Sequence, residues 1–209
     1  MIWSKSALAT IVALLVNVSA YGYEATDDPL GGFIQTGFTI PSEPIPSSGF
    51  KLKSSQKNLT ADQNKLLRLA YSIALEDGHK DPKILQGIIL QESNAGDGLK
   101  YIRHSHNYYG VAQIKVAATR DVLNIYPELM QEYRLKNSSS REIIKQLTEN
   151  DSFNLAVASK YLLIMKTYGY STIRQLALAY NQGPGGAKRK NPNTHHYPNG
   201  VVKHIRSLN

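Results

Sequence analysis

Cysteine is absent from the 209 residues. Its absence excludes disulfide stapling, thiolate catalysis and lipid attachment through an N-terminal cysteine, so a folded domain here is held by its core and its hydrogen bonds. Other signatures are missing too. No Gly-x-Ser-x-Gly marks a serine nucleophile. The stretch "GPGGAKRK" at 183–190 lacks the Gly-Lys-Ser/Thr of a phosphate loop and follows a helical pattern rather than a strand. The most apolar run, Ala7 to Val16, is too short to cross a hydrocarbon core comfortably. Acids are in the minority, 16 against 24 Lys and Arg, for a net charge of +8. That balance favours an anionic partner: nucleic acid, acidic lipid or a bacterial wall polymer.

What is present begins with a leader. Residues 1–20 carry Lys5, the apolar run and the small residues Val18-Ser19-Ala20, the layout of a secretory signal cleaved after Ala20. No stable membrane span is expected after cleavage, and the expected location is the periplasm or the cell envelope. Export makes nucleic acid the least fitting anionic partner, and none is expected. Residues 21–58, with Gly31-Gly32, Pro41, Pro44, Pro46 and Ser47-Ser48-Gly49, read as an extended arm or linker.

From residue 59 to 209 the pattern is helical. Thr60 and Gln63 fit a capping box, followed by Leu66, Leu67, Ala70, Ile73 and Ala74 on one face, ending near Gly78. Asp81 caps and Pro82 starts a second helix, whose stripe Ile84, Leu85, Ile88, Ile89 runs on to Gln91-Glu92-Ser93. A loop rich in Gly, Asn and Tyr follows, and 111–126 reads as a third helix broken before Pro127. Segments 141–150 and 152–169 give two more, the latter apolar on most sides and so central. Residues 171–183, capped by Ser171, stop at Gly183-Pro184-Gly185-Gly186, and 201–209 closes the chain. The expectation is an all-α domain of about six or seven helices.

Glu92 lies four residues after Ile88 and seven after Leu85, over the face that meets the core. A carboxyl partly buried among aliphatic neighbours holds its proton to higher pH and can donate it near neutrality. Periodicity fits equally an ordinary helix-end Glu turned to solvent. The six histidines suggest no metal site: His104 and His106 are two apart, His195 and His196 adjacent, and neither spacing places two imidazoles on one helix face. No metal and no cofactor are expected.

The trio "QES" at 91–93, "YGVAQ" at 109–113 and "ALAYNQGPG" at 177–185 resembles, in order and spacing, the motifs of the SLT-type lytic transglycosylases, a goose-type-lysozyme-related branch of the lysozyme-like fold. The likeness extends from about residue 63 to 208. Val111-Ala112 stand where that family usually has Leu-Met, an apolar-for-apolar change that bears on subsite shape, while Gly110 and Gln113 are kept. The resemblance implies that Glu92 first protonates the oxygen linking N-acetylmuramic acid to N-acetylglucosamine in peptidoglycan. The ionised Glu92 then takes the proton of the muramoyl C6 hydroxyl as that oxygen attacks C1, giving a 1,6-anhydro end without water. Hydrolytic glycosidases need a second carboxylate. Between Glu92 and Asp121 the only other acid is Asp97, in a "GDG" turn.

By the same resemblance, Ser93 would bond the reacting sugar or the carboxyl, Gln113 would reach the acetamido or peptide portion of the substrate, Tyr180 would bring its hydroxyl near Glu92, and Asn181 would contact sugar. Tyr108 and Tyr109 would suit the wall of a glycan groove. Lys188, Arg189 and Lys190 form a small cationic loop. Two alternatives stand beside the lyase: a hydrolytic muramidase, and a non-catalytic peptidoglycan-binding or assembly module of a secretion or pilus machine. Such a machine is also the partner class expected for an enzyme that opens the wall locally.

Overall fold

A computed structural model describes residues 59–98 and 107–208. The leader, the arm, His104 and His106 lie outside the described residues. The architecture is all-α apart from one two-stranded ribbon. In chain order the elements are α1 (Ala61–Glu76), α2 (Lys83–Ser93), β1 (Tyr108–Tyr109), β2 (Ile114–Lys115), α3 (Val116–Ile125), α4 (Glu128–Glu132), α5 (Ser140–Glu149), α6 (Asp151–Thr167), α7 (Ile173–Ala187) and α8 (His196–Ser207).

Local chemistry sets the helix starts. Thr60 and Gln63 close a reciprocal capping box at α1, the Thr60 N–H donating to Gln63 Oε1 at 2.8 Å. The Asp81 carboxylate accepts from Lys83 N at 3.1 Å at the head of α2. Ser139 and Asn150 cap α5 and α6 through Glu142 N and Phe153 N. At α7 the cap is Thr172, in a box with Gln175, rather than the expected Ser171. α7 kinks at Gly183, where φ is 69°, at the glycine that marks the stop in the sequence.

The core is one cluster with α6 at its centre. Phe153, Leu155, Val157, Ala158 and Leu162 are fully buried there, and α6 packs against α1, α3, α5 and α7. Burying each large aliphatic side chain contributes roughly 1.5–3 kcal/mol, and Leu85, Ile88 and Ile89 bring the same from α2. α2 lies antiparallel on α8. A Cβ on Gly87 would come within 2.7 Å of Ile205 Cγ1, and one on Gly200 would strike the Gln91 amide. Small residues at both crossings let the backbones approach.

Three elements differ from the sequence reading. The expected third helix begins only at Val116, because residues 108–115 fold as a hairpin, with Tyr108 opposite Lys115 and Tyr109 opposite Ile114. Its turn needs positive φ at Gly110 (69°) and at Gln113 (47°), which a helix does not contain. The short α4 follows Pro127 and was not expected. α8 begins at His196 rather than Val201, because Pro198 falls in its first turn, where a missing N–H costs no helical bond.

Candidate active site

Glu92 sits in the last turn of α2, which ends at Asn94 in the left-handed conformation (φ 51°). The apolar stripe beneath it removes water from the carboxyl. Desolvation raises its pKa from 4.5 to about 7, opposed in part by a hydrogen bond from Tyr197. The Tyr197 hydroxyl donates to Glu92 Oε1 at 2.5 Å. Tyr197 is only 5% exposed, and burial followed by the neighbouring carboxylate lifts its own pKa well above 10, so it remains a donor. The pair lies where α8 crosses α2, one turn along from the Gly200–Gln91 contact.

Tyr180, on α7, is buried close enough to Glu92 for the carboxylate to help raise its pKa, after burial. Its hydroxyl donates to the Ala112 carbonyl at 2.7 Å, so the phenol that holds the acid is Tyr197 and the phenol that holds the hairpin is Tyr180. Its ring packs edge-on against Tyr161, with centroids 5.8 Å apart.

Ser93 is buried. Its Oγ lies 2.7 Å from the Val111 carbonyl and 3.2 Å from that of Ile89, and it accepts from Gly96 N at 3.0 Å. With those partners it ties the end of α2 to the hairpin. Asn154 completes the tie from α6: Oδ1 accepts from Ala112 N at 2.8 Å, while Nδ2 donates to the Tyr109 and Leu147 carbonyls at 2.9 and 3.1 Å. Gly110 packs against this amide, and any Cβ there would collide with it and with the Leu147 carbonyl oxygen. Gln113 donates from Nε2 to the Gly110 carbonyl at 2.7 Å, closing the turn.

Gln113, Tyr180 and Asn181 do share a space. They line a cavity of about 170 Å³ with Tyr108, Lys115, Tyr161 and Gln182, a largely polar set suited to hydroxyl and amide groups. Lys115 Nζ lies over the Tyr108 ring, 4.7 Å from its centroid. Asn181 Oδ1 accepts from Gln182 Nε2, whose Oε1 accepts from Lys190 at 2.7 Å. The cationic loop thus reaches back to the cavity through Lys190. Tyr109 is half-buried against the core. Among the described residues no three His, Asp or Glu gather where one metal ion would sit; His195 and His196 stack ring on ring, 4.6 Å apart.

Two residues central to this geometry escape sequence reasoning. Tyr197 lies N-terminal to the segment read as the last helix, just before Pro198. Asn154 is one polar residue in a long apolar helix, and its periodicity shows burial but not its partners. Comparison of the chain with family models, curated proteins and solved structures finds no match.

Proposed function

We propose that the chain is a peptidoglycan lytic transglycosylase with a lysozyme-like helical domain, exported to the cell envelope, in which Glu92 is both the general acid and the general base. One observation carries the reading: a carboxyl at the end of an apolar helix, gripped by a buried phenol, with its pKa near 7. Such a group is part protonated and part ionised at neutral pH, as donation and then recovery of one proton require. Burial produces the upward shift and the Tyr197 hydrogen bond partly opposes it, with no second carboxylate of the described residues among the causes. That electrostatic setting favours attack by the sugar's own C6 hydroxyl over the paired-carboxylate chemistry of hydrolases. The cavity formed by Gln113, Tyr180 and Asn181 supplies amide and hydroxyl contacts of the kind a glycan strand uses.

Purified protein incubated with peptidoglycan sacculi is expected to release muropeptides with 1,6-anhydromuramoyl ends, read by mass spectrometry, and Glu92→Gln to release them roughly 10²- to 10⁴-fold more slowly. Reducing ends would make it a muramidase. Wall binding without fragments from the wild type would make it a binding or assembly module.

A further inference from the structure

We propose that the outer face of α8, together with the 188–190 loop, is a docking surface for an anionic wall polymer, recognised through the carboxylates of its stem peptides. The polymer's identity rests on the function proposed above; the surface itself rests on charge.

Charge is spread unevenly along the chain. All 16 Asp and Glu and 16 of the 24 Lys and Arg fall in residues 1–151, so the net charge of +8 belongs wholly to residues 152–209, which hold eight Lys and Arg and no acid. Two of the eight are engaged within the fold: Lys160 pairs with Asp77 at 2.7 Å, and Lys166 stands beside the buried His79. The other six, Arg174, Lys188, Arg189, Lys190, Lys203 and Arg206, lie on α7, α8 and the loop between them. All but Arg174 are exposed, and no carboxylate of the described residues pairs with any of the six.

Folding gathers them. On α8, Tyr197, Pro198, Val201 and Ile205 turn inward and are buried, so His196, Asn199, Lys203 and Arg206, spaced three, four and three residues apart, form one exposed stripe. At 1.5 Å per residue it is about 15 Å long. Arg174 reaches the middle of that stripe from α7, donating to Asn199 Oδ1. The loop reaches its start: the Asn191 carbonyl accepts from His195 N at 3.2 Å, and Lys190 is close enough to add to desolvation and His196 in holding the His195 imidazole below its ordinary pKa. α8 packs against α2 and α7, and the three helices carry a single acid, Glu92, which Tyr197 holds on the inner side of α8. Among the described residues the outer face therefore meets no internal counter-charge.

The chemistry of the face selects its partner. The exposed large apolar side chains, Leu75, Ile125 and Tyr168, lie elsewhere, on α1, α3 and the end of α6, so the face offers a bilayer no apolar anchor. Cations spaced along a ridge match carboxylates spaced along a strand. The face is also continuous with the candidate active site: Lys190 donates to Gln182 Oε1 at 2.7 Å, and Gln182 lines the cavity with Gln113 and Asn181. A strand held on α8 would be presented at the mouth of that cavity.

Co-sedimentation with purified peptidoglycan sacculi tests the surface, in the Glu92→Gln background so that the wall is not consumed. Expected is saturable binding at low ionic strength that is lost as sodium chloride rises. It should weaken by roughly tenfold or more in Lys188→Gln/Arg189→Gln/Lys203→Gln/Arg206→Gln, and likewise on sacculi whose carboxylates have been capped as neutral amides. Lys136→Gln/Lys145→Gln, which removes exposed cations before and on α5, is expected to bind as before. Unchanged binding by the quadruple variant, a comparable loss in the α5 pair, or binding indifferent to amidation overturns the surface. Tighter binding to vesicles of pure phosphatidylglycerol than to sacculi, lost in the same quadruple variant, overturns the polymer in favour of a lipid headgroup. Should the quadruple variant fail to fold, Lys203→Gln/Arg206→Gln decides. Sacculus binding without anhydro products from the wild type would leave this surface standing and remove the proposed activity; anhydro products with unchanged binding by the quadruple variant would do the reverse.

Discussion

Beside each end of the second helix, α2, one titratable side chain is drawn largely out of water, and the difference between the two is instructive. Past its start, His79 is buried beside Lys166 and is held neutral. At its finish, Glu92 is half-buried, no cation among the described residues contributes to its shift, and it is held protonated up to about pH 7. Burial pushes both toward the uncharged form. What separates them is the neighbour: a phenol that still stabilises the ionised carboxylate, against an ammonium that further opposes ionisation of the ring. The first arrangement leaves both protonation states accessible at neutral pH. The second keeps the ring uncharged.

The largest break in this comparison is expected from Glu92→Gln. The amide keeps an acceptor for Tyr197, so the fold stands while turnover on sacculi falls by roughly 10²- to 10⁴-fold, the usual contribution of a general acid–base. Stability should move the other way. A carboxyl whose pKa rises from 4.5 unfolded to about 7 folded binds more protons in the native state between those values, so wild-type stability is full below pH 4.5 and falls as pH rises through 7, by about 3 kcal/mol. The variant should lack that slope, and denaturant melts at pH 5 and pH 8 measure it.

Next in size is Asn154→Ala, which strands Ala112 N and the Tyr109 and Leu147 carbonyls. A loss of about 2–4 kcal/mol is expected by chemical denaturation, from several buried groups left unpaired. Activity should fall with it as the hairpin loosens over the cavity.

Tyr197→Phe sharpens the contrast. Its hydroxyl lowers the Glu92 pKa, so its removal should shift the alkaline limb of the activity profile upward by about one pH unit, each unit corresponding to 1.36 kcal/mol. An unshifted limb would mean that the phenol merely fills space. The smallest effect belongs to the opposite end. Thr172→Ala removes the cap of α7 and should cost about 1 kcal/mol in thermal melts, with sacculus activity unchanged.

Much of the fold was legible because it depends on local rules. The capping box of Thr60 and Gln63, the stripe of α2 and the all-round apolar character of α6 each follow from periodicity and cap chemistry, and each stands in the structure. Residues 111–115 were misread as helical because Val111, Ala112 and Ile114 mimic a helical face, whereas the hairpin turn is held from a distance by Asn154 and Tyr180, which bond the N–H and the carbonyl of Ala112. The position of Glu92 over the core stripe was also readable, though periodicity left its burial open. Ser93, Gly110 and Gln113 entered through resemblance as substrate contacts. In the structure Ser93 and Gln113 bond backbone groups of α2, the turn after it and the hairpin, while Gly110 packs against the Asn154 amide and the Leu147 carbonyl. Such partners are chosen by packing across the fold and leave no periodic trace in the chain.

The grip on Glu92 spans 105 residues of sequence. While α8 is still inside the ribosome, the carboxyl has already been made but the phenol that tunes it has not docked. Docking of α8 through the tight glycine crossings therefore acts as a timer: under the proposed activity, a newly made enzyme would gain its tuned proton donor only once nearly all of the described chain has emerged and folded.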